Sequence, residues 1–81
     1  MQPPTTEELR QQWGMAVTRQ RTAHGWSQRK LARVAGLGQD TVSAIERGQH
    51  AGSDQTRIAL ARALDVEVHE LFVYPPTRVA S

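Results

Sequence analysis

The chain contains no cysteine, which excludes a disulfide framework, a zinc ribbon and a thiol nucleophile; its core must be held by packing or by a second subunit. Long apolar runs are missing too. Nothing approaches the ~20 residues that span a bilayer, and the opening MQPPTTEELRQQ lacks a signal-peptide apolar stretch, so a soluble, cytoplasmic protein is expected. No strand alternation of useful length and no internal repeat occurs, which points to an all-α class. His24, His50 and His69 have no cysteine or carboxylate at metal-ligand spacing, and neither Ser27 nor Ser43 has a histidine oriented by a third group. No metal site, no cofactor and no enzymatic activity are expected.

What is present is enough for one small core in 81 residues. The net charge of +2 is unevenly placed. From Arg10 to His50 seven Lys/Arg (Arg10, Arg19, Arg21, Arg29, Lys30, Arg33, Arg47) face only Asp40 and Glu46. From Ala51 onward Arg57, Arg62 and Arg78 are outnumbered by Asp54, Asp65, Glu67 and Glu70. On charge alone, the half from Arg10 to His50 either faces a polyanion or is simply a solvated basic face.

Pro3 and Pro4 precede TTEEL, where Thr5 and Glu8 have capping-box spacing, so a first helix starts here. Leu9, Trp13, Ala16 and Val17 give it a buried stripe, and Gly25 can close it after His24. Ser27 is a good N-cap for a second helix with Leu31, Ala32 and Ala35 on one side and Arg29, Lys30 and Arg33 on the other. Lys30 stands where a capping-box glutamate would, so that cap is half made. A third helix begins near Gln39, with Val42, Ile45 and Glu46 on one face, and Gly48 ends it. Ser53 or Asp54 caps a fourth helix whose Ile58, Leu60, Ala61 and Leu64 are expected to point inward. DVEVHELF reads as a turn and a short fifth helix ending at Leu71 and Phe72, and Pro75 and Pro76 end regular structure.

Between the second and third helices lies only AGLG. Two helices can cross steeply over so short a join if the contact residue is small and the turn residue tolerates positive φ, and Ala32 and Gly36 meet those needs. The spacing of Gln28, Leu31, Ala32, Gly36, Val42 and Ile45 resembles the phage Cro/repressor-type helix-turn-helix family, also called the Xre family. The likeness extends over WGMAVTRQRTAHGWSQ, VSAIERG and TRIALARALDVEVHELF, from about Trp13 to Phe72 without a gap. It implies an all-α, lambda-repressor-like bundle of about five helices: residues 1–12 an arm and the start of the first helix, 13–72 the DNA-binding domain, 73–81 a tail.

The resemblance further implies a sequence-specific regulator, Cro-like, that binds double-stranded operator DNA as a homodimer. Its second motif helix would lie in the major groove, where all four base-pair orientations differ. The reading positions then fall on Gln39, Asp40, Ser43 and Ala44. Gln39 suits a bidentate pair with adenine, Asp40 a cytosine amino group, rejection of wrong bases or no more than a favourable charge at the helix N-terminus, and Ala44 a thymine methyl. Ser27, Gln28, Thr41, Arg47, Gln49 and His50 fall on backbone-contacting positions, Gln28 also bracing the recognition helix, and Arg21 with Glu46 fall on a structural ion pair. The dimer surface is expected at Val68, Leu71, Phe72, Val73 and Tyr74, with Leu71 and Phe72 suited about equally to this chain's own core.

Departures from the family pattern are Gly38 in place of a Ser/Thr cap, Gly52 where proline is common, Gln20 for a leucine, and Asp54 and Arg57 at positions often apolar. A looser start to the fourth helix is expected from them. The alternative function is an antitoxin or protein-interaction module of the same fold; an outward third-helix face of Gln39, Ser43 and Arg47 favours DNA, and Asp40 is the vote against. With little beyond the domain after Phe72, the chain resembles a stand-alone regulator. Neither a membrane nor a small-molecule substrate is expected as a partner.

Overall fold

The computed structural model describes residues 2–75, and Met1 and 76–81 of the expected arm and tail lie outside them. Five helices follow in order: α1 (Thr6–Ala23), α2 (Gln28–Ala35), α3 (Gln39–Glu46), α4 (Asp54–Leu64) and α5 (Val68–Leu71). No strand occurs among the described residues. None of the described helices is long and apolar enough to cross a membrane.

The helix starts are set by short polar side chains that accept otherwise unpaired N–H groups. Thr5 and Glu8 form the complete capping box on α1, while the Ser27 and Ser53 hydroxyls accept from the Lys30 and Thr56 amides. Gly38 caps α3 through its backbone conformation alone, with no side-chain bond. Gly36 closes α2 at φ +71°, a left-handed conformation that costs an L side chain energy, and the Leu37 amide then turns back onto the Ala32 carbonyl at 2.8 Å. That turn makes the sharp join between α2 and α3.

The core gathers Trp13 and Val17 of α1, Leu31 and Ala32 of α2, Val42 and Ile45 of α3, Leu60, Ala61 and Leu64 of α4, and Leu71 and Phe72. Each large side chain there contributes about 1.5–3 kcal/mol of apolar burial. α3 packs on both α1 and α2, and α2 also packs on α4, so α3 is seated by two neighbours.

Two expectations need correction. Ile58 is 40% exposed, not inward. Arg57, Leu60 and Leu64 form the inner row of α4 at i, i+3, i+7, and Ile58, one residue on from Arg57, is turned about 100° away from it. Leu71 and Phe72 are 2% and 1% exposed, so they belong to this chain's own core and are closed to a partner; Val73 and Tyr74 remain exposed. The start of α4 also differs from expectation, because the Arg57 side chain is only 16% exposed and lies over the Trp13 ring, its guanidinium carbon 5.1 Å from the centroid.

Candidate nucleic-acid interface

α3 presents two faces because its side chains repeat every 3.6 residues. Val42 and Ile45 are buried, whereas Gln39, Asp40 and Thr41 are exposed and Ser43 and Ala44 are half-buried. Gln39 and Ser43 stand one turn apart, as do Asp40 and Ala44, so the four expected readers share an outer edge. Asp40 lies in the first turn, where a carboxylate complements the helix N-terminus.

A single carboxylate locks this helix in place. Arg21 reaches from α1 and donates Nε to Glu46 Oε2 at 2.6 Å and Nη2 to Oε1 at 3.0 Å. Gln28, at the start of α2, donates Nε2 to the same Oε1 at 3.0 Å, and Arg21 Nη1 donates to the Trp26 carbonyl at 2.8 Å. α1, α2 and α3 thus meet at Glu46, and Arg21 ties in the segment entering α2. Burial pushes the Glu46 pKa up, but hydrogen bonds from Arg21 and Gln28, together with the Arg21 charge, outweigh it and hold the carboxyl below the usual glutamate value. The hydrogen bond to Glu46 correspondingly raises Arg21.

Gln28 is therefore a brace first, its amide nitrogen directed at Glu46. Ser27 spends its acceptor on the Lys30 amide at 3.0 Å, which leaves the hydroxyl hydrogen free to donate outward. Arg29 and Arg33 project into solvent from α2, and the Lys30 ammonium sits 6.0 Å from the Trp26 ring centroid. Arg47, Gln49 and His50 are exposed in the segment that leaves α3.

Arg10 and Arg57 were counted by sequence only as positive charge and as a departure, yet both hold the chain after α3. Arg10 Nε donates to the Gly48 carbonyl at 3.2 Å and Arg57 Nη2 to the Gly52 carbonyl at 3.2 Å. Gln49 and His50 lie between these two anchors. An arginine at a position that is often apolar was the available signal for the second of them.

Residues 17–71 match the helix-turn-helix family model. The chain belongs to the helix-turn-helix family of DNA-binding transcription regulators. An uncharacterised member of that class from Methanocaldococcus jannaschii, named as an HTH-type transcriptional regulator, is 30% identical over 54 residues, covering 67% of this chain and 82% of the relative. Among solved helix-turn-helix structures, the restriction-modification controller protein C.AhdI of Aeromonas hydrophila is 41% identical, with a TM-score of 0.75 over 78% of this chain and 96% of its own. The hypothetical transcription factor NHTF from Neisseria is 32% identical, with a TM-score of 0.78 over 93% of this chain and 86% of its own.

Proposed function

We propose that this helix-turn-helix protein is a sequence-specific transcription regulator that binds an operator in the major groove as a homodimer. The observation that carries the reading is the division of α3: its inner face is buried and clamped through Glu46, while Gln39 and Asp40 stand free at its start. A rigid helix with exposed amide, carboxylate and hydroxyl groups is equipped to read base edges. Gln39 pairs with adenine, Asp40 accepts from cytosine or rejects other bases, Ser43 bonds either kind of edge, and Ala44 touches a thymine methyl. Ser27, the start of α2 at Gln28, Thr41, Arg47, Gln49 and His50 hold the sugar-phosphate backbone and set register.

Two copies related by a two-fold axis place their α3 helices about one DNA turn, ~34 Å, apart. Exposed Ile58 lines one groove with Val66 and Val68, and together with Val73 these supply apolar surface for pairing. The names of the solved relatives, a restriction-modification controller and a transcription factor, support regulation as the role. The protein acts by binding and not by catalysis, in the cytoplasm where its DNA lies.

The test is selection from random double-stranded DNA followed by mass measurement of the complex. An enriched inverted repeat bound by two chains is the expected result. Recovery of no motif would overturn the reading in favour of a protein-binding module, and one chain per site would remove the dimer.

A further inference from the structure

The carboxyl-terminal stretch after α5 is tied to the rest of the molecule through two side chains. The Trp13 indole donates Nε1 to the Val73 carbonyl at 2.8 Å, and its ring meets that of Tyr74 edge-on at 5.0 Å. The Arg57 guanidinium lies over Trp13, donates Nη1 to the Tyr74 hydroxyl at 2.6 Å, and with Nη2 holds the Gly52 carbonyl at 3.2 Å. Asp54, 92% exposed and 3.7 Å away, adds only a weak charge contact. Gly52 is itself wedged against the core: a Cβ there would stand 3.2 Å from Ile45 Cδ1 and 3.3 Å from Thr56 Cγ2. The fork of a guanidinium is planar, so its two donors cannot be aimed independently. Whatever fixes Nη1 on Tyr74 therefore fixes Nη2 on Gly52.

We propose that Arg57, aimed by the Tyr74 hydroxyl, is a positioning residue for the 47–53 loop and through it for backbone contact by Gln49 and His50, a role that rests on the DNA-binding reading above. Arg10 fixes the near end of the loop at Gly48 and Arg57 the far end at Gly52. The stretch that follows α5 thereby controls how firmly the loop is presented to a phosphate.

Tyr74→Phe is the informative change, because it keeps the ring on Trp13, alters no charge and removes only the acceptor of Nη1. In the free protein, backbone order parameters of residues 49–52 are expected to fall from the rigid range, about 0.85, toward that of a flexible loop, below about 0.6, while those of α1 and α4 hold. On DNA, at a concentration where sedimentation shows the same oligomer for both proteins, affinity is expected to fall about threefold to tenfold. In a Gln49→Ala/His50→Ala background the same substitution should cost less than about twofold, since the contacts it acts through are gone. Unchanged order parameters in the loop, or an equal loss of affinity in both backgrounds, overturn the proposal. A wild-type protein that selects no DNA sinks the functional reading instead, and the order parameters still decide whether Tyr74 governs the loop.

Discussion

Gly14 of α1 lies directly against the Ile45 carbonyl at the end of α3. A Cβ on Gly14 would stand 2.5 Å from the carbonyl oxygens of both Ile45 and Glu46. An alanine in a helix interior normally gains about 1 kcal/mol over glycine. Here the obstruction is backbone on both sides, so Gly14→Ala is expected to lose about 3 kcal/mol as the helices are driven apart. Calorimetry gives the sign, and a Tm equal to or above wild type would show that the two helices can slide.

Arg21 and Glu46 predict an acid sensitivity. Because the folded pKa of Glu46 is depressed, the contribution of the pair is complete above the unfolded value, roughly 4.3, and is lost as pH falls through the lower folded value. Glu46→Gln is expected to destabilise by roughly 2–4 kcal/mol at neutral pH, the range for a charged hydrogen bond up to a broken buried pair. The gap to wild type should close below about pH 4. Glu8, lowered by its backbone bond to Thr5, titrates in both proteins and drops out of the difference. A gap that is constant from pH 7 to pH 3 would assign the loss to packing.

At the start of α3 the protein has room for improvement. Gly38 has φ −74° and ψ 149°, which any residue adopts, and a Cβ there meets only Thr41 Oγ1 at 3.9 Å. Gly38→Ser adds an acceptor for the α3 amides and removes unfolded-state freedom, for an expected gain of about 0.5–1 kcal/mol. Chemical denaturation should move to higher midpoint with an unchanged slope. A lower midpoint would mean that the serine hydroxyl does not reach the helix.

Gln39→Ala is expected to cost roughly 1–3 kcal/mol on the selected site while leaving random-sequence DNA bound as before. Titration against both DNAs separates these. Equal loss on both would move Gln39 to the backbone-contacting set.

Asp40 carries an exposed negative charge that, on the proposed reading, faces a polyanion. Asp40→Asn should tighten binding to random-sequence DNA about threefold to tenfold at low salt and narrow the margin between specific and random sites. Unchanged random-site affinity would place Asp40 away from the phosphates.

Local chemistry made much of the fold legible. Thr5, Ser27 and Ser53 announced helix starts, Gly36 announced the sharp join, and the spacing of Val42 and Ile45 marked the inner face of α3. Ile58 misled because an apolar residue beside a buried row looks like part of it, and the one hint that an arginine occupies the row is the departure at Arg57, a position often apolar. The Arg57 seat depends on Trp13 and Tyr74, and the Trp13 bond to Val73 spans 60 residues of sequence. Contacts of that reach leave no periodic trace. Leu71 and Phe72 were ambiguous for a related reason: an apolar pair at the end of a short helix fits its own core or another chain's equally well, and only packing against Trp13, whose ring meets Phe72 at 5.7 Å, decides it. At the site, the resemblance supplied Arg21, Glu46 and the bracing role of Gln28, whereas the single oxygen on which Arg21 and Gln28 meet shows only in the fold.

On α3 the residues that hold the fold and those that face outward are different residues. Val42, Ile45 and Glu46 carry the packing and the clamp, and Gln39 and Asp40 are exposed. The helix is in that sense re-addressable: a library randomised at Gln39 and Asp40 should return mostly folded proteins with new DNA preferences. Ser43 and Ala44, half-buried, admit only small replacements, so on the proposed reading the first turn of the helix sets the range of reachable target sequences.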